Sequence, residues 1–226
     1  MKKVLITGGA QGLGSYIARE FSKKYEVIIA YKDSVESAKE LSKELNVKNV
    51  RIDIINESDI KKFFDSNKID VLINNASISL DNDIMEKDKA EFMKVLEVNL
   101  VGTYLMSKEA VKNGVKDIIN ISSTDSVDTY QSLNIDYSSS KAGVNILTKT
   151  FALTYKDVRT IAILPNWINT DSVLSMNKDY LENELKRIGQ DKLLDQKEVA
   201  NKILEIYENK DIKSGELIRI DGDINV

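Results

Sequence analysis

Short apolar runs alternate with amphipathic stretches from the first residues onward, and this pattern leaves the chain few folds to choose from. Runs at 4–7, 27–31, 50–54, 71–74, 118–122, 160–164 and 217–220 are apolar on successive residues rather than on alternate ones. Such runs suit parallel strands covered on both faces. Between them lie segments with helical patterning at 13–24, 34–45, 57–64, 89–111, 137–155 and 197–207. Strict strand–helix alternation predicts an α/β fold: a Rossmann-like, doubly wound parallel sheet of about seven strands with helices on both faces. With 226 residues the chain has room for one well-buried core, so a single domain over 1–226 is expected. Pro165 is the only proline, which leaves the helices uninterrupted. Only 170–196 breaks the alternation. It is polar and weakly helical, and it follows a strand end, where a lid over an α/β site would lie.

Composition removes several chemistries. The chain has no Cys and no His, so disulfides, thiolate nucleophiles, the commonest metal ligand and the commonest general base are all excluded. No metal is expected. Thirty-two basic against 36 acidic residues give a net charge of −4, with no basic stripe to hold nucleic acid. No stretch approaches the roughly 20 apolar residues of a membrane span. The segment Met1-Lys2-Lys3-Val4-Leu5-Ile6-Thr7-Gly8 meets glycine too soon for a signal-peptide core, so a cytoplasmic protein is expected.

Two motifs carry chemistry. The first strand runs into Thr7-Gly8-Gly9-Ala10-Gln11-Gly12-Leu13-Gly14 at the start of a helix. Glycines there permit a tight turn and close approach to a pyrophosphate, and the helix offers free N–H groups and a positive dipole end. The second motif is Tyr137-Ser138-Ser139-Ser140-Lys141, which follows the hydroxyl-tipped run Ile118-Ile119-Asn120-Ile121-Ser122-Ser123. A tyrosine and a lysine four apart share a helix face. A nearby ammonium draws a phenol's pKa down toward the working range, so Lys141 is expected to lower that of Tyr137. A second such pair, Tyr104–Lys108, lacks this context and reads as a surface contact.

Taken together and in order, these motifs resemble the short-chain dehydrogenases/reductases of single-domain type, and within them most the 3-oxoacyl-acyl-carrier-protein reductases. Thr7 to Gly14 matches the family's Thr-Gly-x-x-x-Gly-x-Gly loop. Asp53 matches the acid that meets the adenine amino group, with Ile54 beside it, and Asn74-Asn75-Ala76-Ser77 matches the Asn-Asn-Ala-Gly stretch along the cofactor. Asn99, Ser123, Tyr137 and Lys141 match the catalytic tetrad, with Ser122 as the alternative serine. Pro165-Asn166-Trp167-Ile168-Asn169-Thr170 matches the Pro-Gly-x-x-x-Thr segment beside the nicotinamide, and Gly215 to Gly222 the closing strand. The chain departs from the family in carrying Asn166 and Ser77 where glycines are usual, and in a Ser123–Tyr137 spacing one residue longer. It also has Val115-Lys116-Asp117 where an arginine would help dock an acidic carrier protein.

The resemblance implies reduction of a ketone to a secondary alcohol. Tyr137 would give the proton, Ser123 hold the carbonyl, Lys141 bind the nicotinamide ribose, and Asn99 hold a water behind Lys141. Thr7, Gly8, Gln11, Gly12, Leu13, Gly14, Lys32, Asp53, Ile54, Asn75, Ala76, Tyr137, Lys141, Pro165, Ile168 and Thr170 would bind the cofactor. Asn74 would bridge backbone groups at its strand end. No acid stands at Tyr31 or just before it to accept bonds from a ribose 2′-hydroxyl, and Lys32 and Ser34 suit a 2′-phosphate. NADP(H) is therefore expected over NAD(H), which remains possible. The substrate would be a small ketone or an acyl thioester, with acyl carrier protein a possible partner. The alternatives are a dehydrogenase of a sugar, polyol or other small alcohol, and a nucleotide-binding regulator without turnover. A homotetramer is implied, paired through helices 89–111 and 137–155. The apolar side chains expected to serve that pairing are Phe92, Val95, Leu96, Leu100, Tyr104 and Leu105 on the first, and Val144, Leu147, Phe151 and Leu153 on the second.

Overall fold

The computed structural model describes residues 1–221. Seven strands form one parallel sheet: β1 (Lys3–Thr7), β2 (Glu26–Tyr31), β3 (Lys48–Arg51), β4 (Val71–Asn74), β5 (Asp117–Ile121), β6 (Arg159–Pro165) and β7 (Leu217–Ile220), in the order β3-β2-β1-β4-β5-β6-β7. The order reverses between β1 and β4, where Ile6 pairs with Ile29 on one side and Ile73 on the other. In open α/β sheets that crevice, at the carboxyl ends of the strands, is where ligands bind.

The consecutive apolar residues serve two core layers. Val4, Ile6 and Ile29 face α1 (Gly12–Ser22) and α9 (Gln196–Glu208), meeting Ile17, Phe21, Ile203 and Tyr207. Leu5, Leu72 and Ile118 face the other way, onto α3 (Glu57–Ser66), α5 (Thr103–Lys112) and α6 (Ile135–Thr154). An α2 (Val35–Leu45) completes the first layer.

Three elements differ from the sequence reading. The third strand lies earlier than 50–54, and as the edge strand it is largely exposed rather than covered. Ile52 still donates to Tyr31 O at 2.8 Å, but Asp53 then turns the chain, its Oδ1 accepting from Ile55 N and its carbonyl from Asn56 N. The segment 89–111 is not one regular helix. It runs as α4 (Lys89–Leu96), a π-helical stretch (Glu97–Gly102) and α5. Gly102 makes room for Ile54 there, since a Cβ would sit 2.7 Å from Ile54 Cδ1. The segment 170–196 holds two helices, α7 (Asp171–Leu174) and α8 (Lys178–Ile188), N-capped by Thr170 and Asn177 and closed by Gly189 at φ +71°. Gly222, the last residue of the expected closing motif, lies outside the described residues.

The apolar faces on the two long helices also divide. Val95, Leu105, Val144 and Phe151 are core within one subunit, so they are unavailable to a partner, contrary to the sequence reading. Tyr104 and Leu153 do reach solvent, joined by Val101 and Ile146. No helix among the described residues is long and apolar enough to cross a membrane.

Candidate active site

A cleft of about 1130 Å³ opens over the carboxyl ends of the strands, on the crevice between β1 and β4. One arm is lined by Gly8, Gln11, Gly12, Leu13, Lys32, Asp53, Ile54, Asn75 and Ala76; the other by Ser123, Tyr137, Lys141, Pro165, Ile168 and Thr170. At Gly12, φ is +50°, a left-handed conformation, and a Cβ would meet nothing closer than 3.9 Å. The first N–H groups of α1 carry no side-chain cap, because Gln11 makes none. Free donors, a dipole end and an unobstructed glycine backbone fit a pyrophosphate, and the cleft is large enough for a dinucleotide with a substrate beyond it.

Two residues of the expected cofactor set do not line the cleft. Thr7 is buried under it, its Oγ1 accepting from Asn75 N at 3.0 Å and Ala76 N at 3.1 Å. It is a strut that ties β1 to the loop after β4. Gly14 packs against that turn from behind: a Cβ there would lie 2.1 Å from Gly8 O. Asn75, not Asn74, bridges backbone, its Nδ2 donating to Thr7 O and Gly8 O. Asn74 is directed into the sheet and donates to Ser107 Oγ and Asn120 Oδ1.

The four residues expected to form the tetrad come from three parts of the fold. Ser123 follows β5, Tyr137 and Lys141 lie one turn apart on α6, and Asn99 sits in the π-helical stretch. Ser123 Oγ accepts from Asp125 N at 3.1 Å and lies against the Tyr137 phenol. Ser122 turns away, its Oγ donating to Lys141 O at 3.2 Å. Asn99 does not reach the cleft. Its Oδ1 accepts from Ile78 N, and its Nδ2 donates to Ile78 O and Ser140 Oγ. Its side-chain amide braces the loop after β4 against α6.

Charge at the site also departs from expectation. Burial raises the Tyr137 pKa above the ordinary phenol value; Asp125 adds to the rise, and the Ser123 hydroxyl pulls the other way. The nearby Lys141 does not bring it back below the ordinary phenol value. Its ammonium lies 5.4 Å from the Tyr137 ring centroid and donates to Ile121 O at 2.8 Å, and burial lowers its own pKa to about 8. The i,i+4 spacing puts the pair on one face, but a strand-end carbonyl 20 residues upstream decides where the lysine reaches. Lys32, expected at a 2′-phosphate, pairs with Asp53 at 2.8 Å, and this raises its pKa.

Several cleft residues have no local sequence signal. Asp81, Asp125, Gln131, Asn166, Trp167 and Met176 all line it. They come from loops, from the 3₁₀ turn after β5 and from the start of the 170–196 segment, and only Asn166 and Trp167, in the motif at 165–170, were visible beforehand.

Comparison with known proteins agrees with this geometry. The family model described as short chain dehydrogenase matches residues 2–181. A 3-oxoacyl-acyl-carrier-protein reductase of Aquifex aeolicus is 29% identical, with 98% of this chain and 96% of the relative covered. Glucose 1-dehydrogenase 2 of Bacillus subtilis is 31% identical (83% and 80% covered), and 3beta-hydroxysteroid dehydrogenase 1 of Eggerthella lenta 32% (75% and 71%). A matching family model over most of the chain, a seven-stranded parallel sheet and oxidoreductase relatives lead to one conclusion: the chain belongs to the short-chain dehydrogenase family, NAD(P)(H)-binding oxidoreductases acting on CH–OH groups.

Proposed function

We propose that this protein is an NADP(H)-dependent reductase of ketones, with Tyr137 as proton donor. The observation that carries this reading is the meeting of Ser123 and Tyr137 over the buried Lys141, at the end of the cleft that Pro165 and Ile168 line. The nicotinamide supplies the hydride when bound. Ser123 holds the carbonyl oxygen, and Tyr137, kept protonated at neutral pH by its surroundings, gives that oxygen its proton. The charged Lys141 then offsets the phenolate left behind. Asn99 braces the helix that carries Tyr137 and Lys141 through Ser140 Oγ, and Thr7 and Asn75 brace the glycine turn of the cofactor arm. Such an acid contributes about 10²–10⁴-fold to turnover. Tyr137→Phe should therefore lower kcat by at least about 10²-fold while cofactor affinity, followed by nicotinamide fluorescence, stays within a small factor. Near-normal turnover in the variant would remove Tyr137 from this role.

For the cofactor, Lys32 and Ser34 just past the end of β2 support NADPH over NADH, since no acid stands at Tyr31 or just before it to claim a ribose 2′-hydroxyl, and Asp33 between them pairs with Arg51 at 3.9 Å. For the substrate, the relatives that span nearly the whole chain support a 3-oxoacyl thioester. A second reading, a hydroxylated small ketone or the matching polyol, is favoured by the polar lining beyond Tyr137: Ser79, Asp81, Asp125, Gln131 and Asn166. The protein is read as cytoplasmic. It is also read as a tetramer, paired first through the exposed Val101, Tyr104, Ile146 and Leu153 of adjoining helices, then through the outermost strand β7.

A further inference from the structure

We propose that Asp125 and Asn166 set the substrate class, making the reacting end of the cleft specific for ketones that carry a hydroxyl on the carbon next to the carbonyl. The inference rests on the ketone-reductase reading above and chooses between its substrates.

Asp125 sits two residues past Ser123, in the single 3₁₀ turn Thr124–Ser126 that ends β5. The same turn that lets its N–H hold Ser123 Oγ places its side chain on the wall of the cleft. Only 3% of Asp125 is exposed. Its carboxylate accepts from two neutral donors, Thr129 Oγ1 at 2.7 Å and Gln131 Nε2 at 2.8 Å. Two carboxylate oxygens offer about four acceptor sites, so acceptor capacity is left over.

No cation forms an ion pair with this carboxylate among the described residues. Arg187 on α8 is within its electrostatic reach but is bound to Glu184 at 2.7 Å and to the carbonyls of Thr129 and Tyr130. Lys141 is committed to Ile121 O. The contrast is Asp136, also fully buried, which has Lys87 at 2.9 Å. A buried charge without an ion pair is costly, and such a group on the wall of a cleft marks a candidate ligand site.

Asn166 supplies the complement. It is 8% exposed, and its Oδ1 accepts from Thr124 Oγ1 at 3.2 Å and Trp167 N at 3.0 Å. Its amide nitrogen donates to no group among the described residues, and the residue lines the same cleft. Thr124, which stands between Ser123 and Asp125, donates to Asn166 Oδ1, so one strong acceptor with spare capacity and one unfilled donor lie on neighbouring parts of the wall that carries Ser123. A hydroxyl both donates and accepts, so it satisfies the two together. An alkyl group in its place leaves both unpaired, and a carboxylate or phosphate meets the charge of Asp125. Asp81, held by Ser79 Oγ at 2.7 Å, adds a second negative group to the lining.

The test uses three ketones that share an ethyl side: 1-hydroxy-2-butanone, 3-pentanone and 2-oxobutanoate, each with NADPH and the intact protein. The expected order of kcat/KM is hydroxyketone, then 3-pentanone, then 2-oxobutanoate, with the first step about 10–100-fold, the worth of a hydrogen bond to a charged group. Asp125→Asn should shrink that step about tenfold or more and lift 2-oxobutanoate, while NADPH affinity, which reports folding, stays unchanged. Asn166→Ala should shrink the step independently, by roughly 3–10-fold. A wild-type preference for 3-pentanone, or a preference untouched in both variants, overturns the proposal. Ethyl acetoacetate serves as a general ketone in parallel. If no ketone at all is reduced, the reductase reading fails. Calorimetric binding of the three ketones to the NADPH complex then decides this proposal separately: the same ranking, lost in Asp125→Asn, supports it, and equal affinities overturn it.

Discussion

Tyr137 and Lys141 show what a spacing conveys and what it omits. Their shared helix face and the hydroxyl-ended strand before them were legible from sequence, because both are local patterns. The direction of the Lys141 ammonium was not, since its acceptor, Ile121 O, comes from another element. The consequence is measurable. In the free protein Lys141 keeps its proton only up to about pH 8, while Tyr137 keeps its own well beyond. The profile of kcat/KM reports groups of the free enzyme. Ketone reduction should therefore hold through neutral pH and decline above about pH 8, as the charge that offsets the Tyr137 phenolate is lost. A profile that stays level to pH 10 would separate Lys141 from the proton transfer. Thr7, Asn74 and Asn99 teach the same lesson. Thr7 and Asn74 were recognisable as polar residues at strand ends and Asn99 as a polar residue in an apolar helical turn, yet each turns inward to brace neighbouring segments.

The elements were easier to read than their interruptions. β4 begins and ends where its apolar run does, because a run covered on both faces has no other periodicity to confuse it. β3 was misplaced because Asp53 spends its side chain on a turn, and the helix over 89–111 because a π-helical stretch leaves no mark in hydrophobic spacing. The contact that pins the loop 79–88 to the first turn of α6 was equally invisible: Lys87 and Asp136 lie 49 residues apart and almost wholly inside the protein. Lys87 Nζ also donates to Leu80 O, and Asp136 Oδ1 accepts from Tyr137 N, so the pair joins one wall of the cleft to the residue proposed as proton donor. Removing one partner of a buried pair leaves the other charge stranded, at a cost of about 3–5 kcal/mol. Lys87→Met should lose stability on that order in urea unfolding; a loss below about 1 kcal/mol would show that the pair is not what fixes this loop.

At the scale of the whole molecule, the fold places every chemical group on one side of one sheet and leaves an apolar patch on another. Tyr104 and Phe151 pack edge to face, and Val101, Ile146 and Leu153 stand exposed around them. Light scattering at micromolar concentration should give a tetramer, and Ile146→Lys should dissociate the helix-to-helix contact. A fully active 25.5 kDa monomer would refute the assembly. The sheet, its order and its crevice were legible because strand–helix alternation admits so few topologies. The substrate end was not, because it is assembled from loops whose side chains meet only in space. We propose that this cleft turns over, with NADPH, a ketone held by Ser123 and protonated by Tyr137. The most direct measurement is cofactor oxidation by the purified protein, with NADPH and NADH in turn, against 1-hydroxy-2-butanone, 3-pentanone and ethyl acetoacetate. The expected result is steady oxidation of NADPH with one alcohol formed per cofactor consumed, and a higher kcat/KM than with NADH. A protein that binds NADPH tightly, yet neither oxidises it with any of these ketones nor reduces NADP⁺ with the matching alcohols, would contradict the claim.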